Sequence, residues 1–104
     1  MQKTPGSQLN SDDIQSELKS HKHELHEKFG VTKIGLFGSF AREEAKLVSD
    51  IDFIVELENP DLFIMSALQR YLENLFRRKV DIVRYRNKMN PNLKKRIDQD
   101  VQYV

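Results

Sequence analysis

Leu36-Phe37-Gly38-Ser39-Phe40-Ala41-Arg42-Glu43-Glu44, running on through Ser49-Asp50-Ile51-Asp52-Phe53-Ile54-Val55, is the stretch that decides how this chain folds. It holds two apolar runs rich in strand formers, 31–37 and 50–57, joined by a short polar link. The first run ends in a Gly-Ser pair. The second opens with two carboxylates two residues apart. In a strand, residues i and i+2 point the same way and lie roughly 6.5 to 7 Å apart. Two unit charges at that separation repel by about 2 to 3 kcal/mol at an effective dielectric near 20. Placing them at a sheet face calls for something positive beside them, and a divalent cation is the simplest candidate.

Working outward, the short link favours an antiparallel pair of strands. Upstream, Ile14, Leu18, His21, Leu25 and Phe29 share one side of a helical wheel, so a single helix is predicted over about 12–29. Ser11 is the expected N-cap, with Asp12 and Asp13 at the positive end and Gly30 as the stop. Residues 1–10 carry little that could be buried and read as a flexible tail, leaving 11–104 as one domain. A short helical turn is expected from Ser39 to about Ala45.

Downstream, Asn59-Pro60 breaks the second strand and Asp61 can cap a long helix. That helix carries an apolar stripe of Ile64, Met65, Leu68, Leu72, Leu75 and Phe76. A third strand follows over 79–85, and Asn90-Pro91 starts a last helix through about Asp98; the apolar end 101–104 is ambiguous. A helix between strands two and three permits a parallel crossover. The fold class is therefore α/β (α+β): a small mixed β-sheet with flanking helices.

Composition narrows the chemistry. The 104 residues fit one domain able to bury a core. Absence of cysteine excludes disulfides, thiolate nucleophiles and Cys-bound zinc. No apolar run approaches the ~20 residues of a membrane span and no apolar signal core opens the chain, so no membrane partner and a cytoplasmic location are expected. Net charge is +1, which gives no global field for nucleic acid, although 77–96 is locally basic.

Asp81 is a third carboxylate in apolar sequence, between Val80 and Ile82. A turn at Gly38-Ser39 that opens into a helix exposes backbone N–H groups suited to phosphate, and Ser39 adds a hydroxyl. Hard oxygen donors at Asp50, Asp52 and Asp81 suit Mg²⁺, with Mn²⁺ as the alternative, rather than zinc. Such residues around one or two ions could clamp a triphosphate and activate an attacking oxygen for in-line displacement.

These residues resemble a known family. Gly38-Ser39, ten residues, then Asp50-Ile51-Asp52 matches the G-S-x10-D-x-D signature of the DNA polymerase β-like nucleotidyltransferases, and the longer stretch resembles the minimal nucleotidyltransferases. Val80-Asp81-Ile82-Val83 stands where that family carries its third carboxylate. The resemblance implies the polymerase β-like fold and Mg²⁺-dependent transfer of AMP from ATP, with release of pyrophosphate. It implies Asp50, Asp52 and Asp81 as metal-binding and catalytic residues, and Gly38 and Ser39 as triphosphate ligands. It implies an antitoxin whose partner is a cognate HEPN-type toxin, an RNase. The toxin would be silenced by AMP on a tyrosine, by binding, or both, and a homo-oligomer or a hetero-oligomer with the toxin is compatible. Transfer to RNA or a small molecule is the third reading. One departure stands out: the family usually has Gly after the loop arginine, and here Arg42 precedes Glu43.

Other features have plainer readings. Arg42 and Lys46 could contact phosphates or be solvated cations. His21, His23 and His26 scatter around their helix and cannot converge on one ion. The basic stretch has few stacking aromatics, which disfavours RNA over a partner surface. Leu62 and Phe63, off the helical stripe, are candidates for apolar contact with a partner.

Overall fold

Ile51, Phe53 and Val55 point to one face of the central strand, Asp52 and Ile54 to the other, and this alternation divides the molecule. The computed structural model describes residues 9–44, 49–86 and 88–104. The calls for residues 1–8 as a tail and for Lys46 as a phosphate contact lie outside the described residues. Among the described residues the elements run α1 (Ser11–Ser20), α2 (Lys22–Phe29), β1 (Val31–Phe37), β2 (Ile51–Leu57), α3 (Leu62–Phe76), β3 (Val80–Arg84), α4 (Pro91–Asp100) and β4 (Gln102–Tyr103). The sheet order is β3-β2-β1-β4. β1 and β2 are antiparallel and β2 and β3 parallel, with α3 as the crossover, as the link lengths require.

Two details depart from the sequence reading. The predicted single helix is broken at His21, whose φ of −106° and ψ of 7° leave the helical region. Its ring nitrogen lies 2.8 Å from the Glu17 carbonyl, which also receives the His21 backbone N–H. The break lets Ile14 and Leu18 from α1 and Leu25 from α2 reach the same core. The N-cap is Asn10 rather than Ser11: its carboxamide oxygen accepts from Asp13 N–H at 2.8 Å, and Ser11 is buried. Asn and Ser cap almost equally well, so sequence alone could not separate neighbours. Leu9 also packs on the core, so order extends slightly ahead of residue 11.

The ambiguous C-terminus forms a fourth strand. β4 pairs with β1 through Gly35↔Tyr103 and Leu36↔Gln102. A Cβ at Gly35 would lie 2.7 Å from Val101 Cγ2 and 2.8 Å from Tyr103 Cδ1, so this approach needs glycine.

One sheet face packs Ile34, Leu36, Phe53 and Val55 against Leu18, Leu68, Leu72 and Phe76 from the helices. Full burial of each such side chain stabilises by about 1.5 to 3 kcal/mol. The second face is covered by α4 through Ile97, with Ile54 and Met89, and is much thinner. No helix among the described residues is long and apolar enough to cross a membrane.

Candidate active site

The polar end of the thin face begins where β1 stops. Gly38 has φ 78°, which a side chain rarely tolerates, and a Cβ there would overlap the Asp52 carboxylate. The turn that follows is one hydrogen-bonded turn long. Arg42 N–H donates to Gly38 C=O at 3.1 Å, Glu43 N–H to Phe40 C=O at 3.2 Å, and Glu44 N–H to Ser39 C=O at 2.8 Å. The last two bonds form the pattern that ends a helix with a left-handed residue, and Glu43 is that residue, at φ 59°. The expected short helical turn is present, but it stops at the position where the resembling family carries Gly.

Strand register brings the carboxylates together. Asp52 is paired with Phe37 across the antiparallel ladder and with Asp81 across the parallel one. Paired residues on neighbouring strands share a face and are about 4.8 Å apart in the backbone. Gly38, Ser39, Asp52 and Asp81 line one cleft of about 390 Å³, closed on the far side by Arg96 and Asp100 of α4. Burial pushes the Asp52 carboxyl up from its ordinary value, and the charges of Asp81 and then Asp50 push it further, against Arg42 and Arg96. Among the described residues, neither the Asp52 nor the Asp81 carboxylate has a hydrogen-bond or ion-pair partner.

Asp50 sits differently. It is the exposed residue before β2, close enough for its charge to reach Asp52, yet it does not line the cleft. No group of three acidic or histidine side chains among the described residues is gathered tightly enough to hold a metal as it stands. The donor chemistry nevertheless fits a hard divalent cation: unpaired carboxylate oxygens, held together against their own repulsion, with a hydroxyl at Ser39.

Arg42 lines the same cleft, and its guanidinium is held by Asp100 at 2.7 Å and Glu44 at 2.9 Å. The Gln102 side-chain amide donates from Nε2 to Ala41 C=O at 3.1 Å, and the Gln15 side-chain amide of α1 donates to Gln102 Oε1. The C-terminal segment thus anchors the turn. Arg96, Asp100 and Gln102 were not singled out as site residues from sequence. The available signal was the spacing of Leu93, Arg96 and Asp100, which puts them on one side of a helix.

Comparison with known proteins agrees with this geometry. The model of the nucleotidyltransferase domain family matches residues 18–104. The chain belongs to that family. This nucleotidyltransferase is 41% identical over 97 residues to the protein adenylyltransferase MntA of Thermococcus cleftensis, covering 92% of this chain and 97% of the relative. A solved structure described as a minimal nucleotidyltransferase superposes with a TM-score of 0.76 at 27% identity, over 94% of this chain and 99% of the other. A chain from a complex of tri-AMPylated Shewanella oneidensis HEPN toxin with MNT antitoxin shares the fold, with a TM-score of 0.59 and 22% identity, over 84% of this chain and 66% of that one. The expected α/β fold and family are therefore borne out.

Proposed function

We propose that this nucleotidyltransferase is a protein adenylyltransferase that moves AMP from ATP to a tyrosine hydroxyl of a HEPN-type toxin and so acts as its antitoxin. The observation that carries the reading is the register match of Asp52 with Asp81 in a cleft beside the Gly38–Ser39 turn. The name of the Thermococcus relative and its coverage of nearly the whole chain support adenylyl transfer to protein. The toxin-complex neighbour supports the kind of acceptor.

In this reading Gly38 lets the backbone approach the triphosphate, and the Ser39 hydroxyl and Arg42 orient it. Asp52 and Asp81, with Asp50 at the edge, would hold Mg²⁺, which when bound would neutralise phosphate charge and polarise the α-phosphate. The acceptor oxygen forms a bond to the α-phosphorus, the α–β bridging bond breaks, and pyrophosphate departs in line. Asp81, exposed at the cleft, would help activate the acceptor by taking its proton.

Arg42 and Glu43 favour a second reading, in which the chain silences its partner by binding alone. Arg42 is already engaged by Asp100 and Glu44, and Glu43 strains the turn. Intact-mass measurement of the co-expressed partner separates the two. Transfer predicts partner carrying added AMP with the native chain and none with Asp52→Asn. Unmodified, silenced partner with the native chain would establish binding alone.

A further inference from the structure

The cleft that holds the carboxylates has a larger neighbour. A groove of about 520 Å³ lies beside it, lined by Leu62, Met65 and Met89 among others. Arg84, Arg86 and Lys88 stand along it, and among the described residues none of the three has an acidic partner. The acidic residue on its lining, Asp61, is occupied in capping α3, where it accepts from Ile64 N–H at 2.8 Å. On the first turn of α3, Leu62 and Phe63 are 83% and 88% exposed. Apolar side chains this exposed next to an apolar groove mark a contact surface.

The groove adjoins the carboxylate cleft, since Val83 and Leu93 line both. Whatever lies in the groove is therefore held next to Asp52 and Asp81. Its apolar lining is aliphatic and thioether rather than aromatic, which offers little to stacked bases. Its rim is cationic. That combination fits an amphipathic helix with an apolar stripe flanked by acidic side chains.

We propose that this groove is the docking site for an acidic amphipathic helix of the partner protein, which presents the acceptor to the cleft. The proposal rests on the protein-modifying reading above for its biological role, but the groove is testable apart from it. The cations set orientation and association rate, and the Leu62–Phe63 lip supplies the apolar anchor.

The test is a fluorescence-anisotropy titration of the full chain with three helical peptides of about 20 residues. One has a leucine stripe flanked by glutamates, one the same stripe flanked by lysines, and one the glutamate composition scrambled to destroy the stripe. A single-stranded RNA oligomer is the fourth probe. The glutamate-striped peptide should bind at least about tenfold more tightly than the other three, and more weakly as salt rises. Arg86→Glu with Lys88→Glu, and separately Leu62→Asp with Phe63→Asp, should each weaken it about tenfold or more. Both double variants change exposed residues and should bind AMP-PNP as the native chain does, which shows the fold and cleft intact. Equal binding of striped and scrambled peptides, tighter binding of RNA, or indifference to both double variants would overturn the groove assignment. Absence of AMP on a co-expressed partner that still binds through the groove would instead overturn the transferase reading and leave the groove standing.

Discussion

The two faces of the sheet do opposite work. On the α1–α3 face, Leu36, Phe53, Leu68 and Leu72 are fully buried, and Phe53 and Phe76 stack with ring centroids 5.7 Å apart. On the α4 face, Ile54 and Ile97 hold a thin apolar layer, and the same strands then present Asp52 and Asp81 to a cleft. Neighbouring residues of β2 thus belong to different tasks. Phe53 holds the fold, and Asp52 works against it. A carboxylate raised by burial and by two other carboxylates lowers stability whenever it is ionised. The left-handed backbone at Gly38 and Glu43 lies at the same end of this face. Of the two non-glycine residues with left-handed backbone among the described residues, Glu43 adjoins the carboxylate repulsion of the cleft and Arg77 lies away from it.

Substitutions on the two faces should therefore separate activity from stability. The largest effect is expected from Asp52→Asn, which should lower adenylyl transfer by about 10³-fold or more, or roughly 4 kcal/mol of transition-state stabilisation. The same variant should fold at least as stably as the native chain. Loss of stability in step with loss of transfer would break the division between faces. Next comes Leu72→Ala on the opposite face, expected to cost about 2 to 5 kcal/mol in urea unfolding. The molecules that remain folded should bind AMP-PNP with unchanged affinity.

The pH dependence sharpens the same contrast. A carboxyl whose folded pKa lies above its unfolded value binds more protons when folded. Stability therefore falls as pH rises from the ordinary carboxylate range through the raised value of Asp52. Asp52→Asn should match the native chain in acid and become the more stable protein above that window. Water still reaches the group, so the gain should stay below about 1 kcal/mol. A gain independent of pH would show that charge is not its cause.

The smallest effects compare two strained residues. Glu43 and Arg77 both have positive φ, 59° and 53°, and Arg77 ends α3 away from the cleft. Replacing either by Gly should stabilise by up to about 1 kcal/mol, as left-handed strain is relieved against a gain in unfolded-chain entropy. Only Glu43→Gly, in the turn that carries Arg42, should also change the KM for ATP. Equal effects on KM from both would show that the turn's conformation is not coupled to nucleotide binding.

Much of this was legible in the residues, for reasons that differ by element. β1, β2 and α3 could be read closely because their periodicity and caps are local, as Asp61 capping Ile64 shows. Meeting of Asp52 and Asp81 followed from a crossover whose length permits a parallel pair. What local pattern could not supply was decided by distant contacts. His21 fits a continuous helical stripe and yet breaks the helix, where its ring and backbone share the Glu17 carbonyl. β4 is two residues long and exists because Gly35 leaves room for Tyr103. Asp100 reads as an ordinary helix-end acid until Arg42, 58 residues away, is found against it. The exposed place of Asp50, beside the cleft lining rather than in it, likewise depends on where β2 begins.

Calorimetric titration of AMP-PNP into the native chain, Asp52→Asn and Asp81→Asn, each with and without Mg²⁺, tests the central claim most directly. The account predicts that the native chain binds the nucleotide in a Mg²⁺-dependent manner and that each variant loses at least about tenfold in affinity while remaining folded. Binding that ignores Mg²⁺, or that survives both substitutions unchanged, would contradict it.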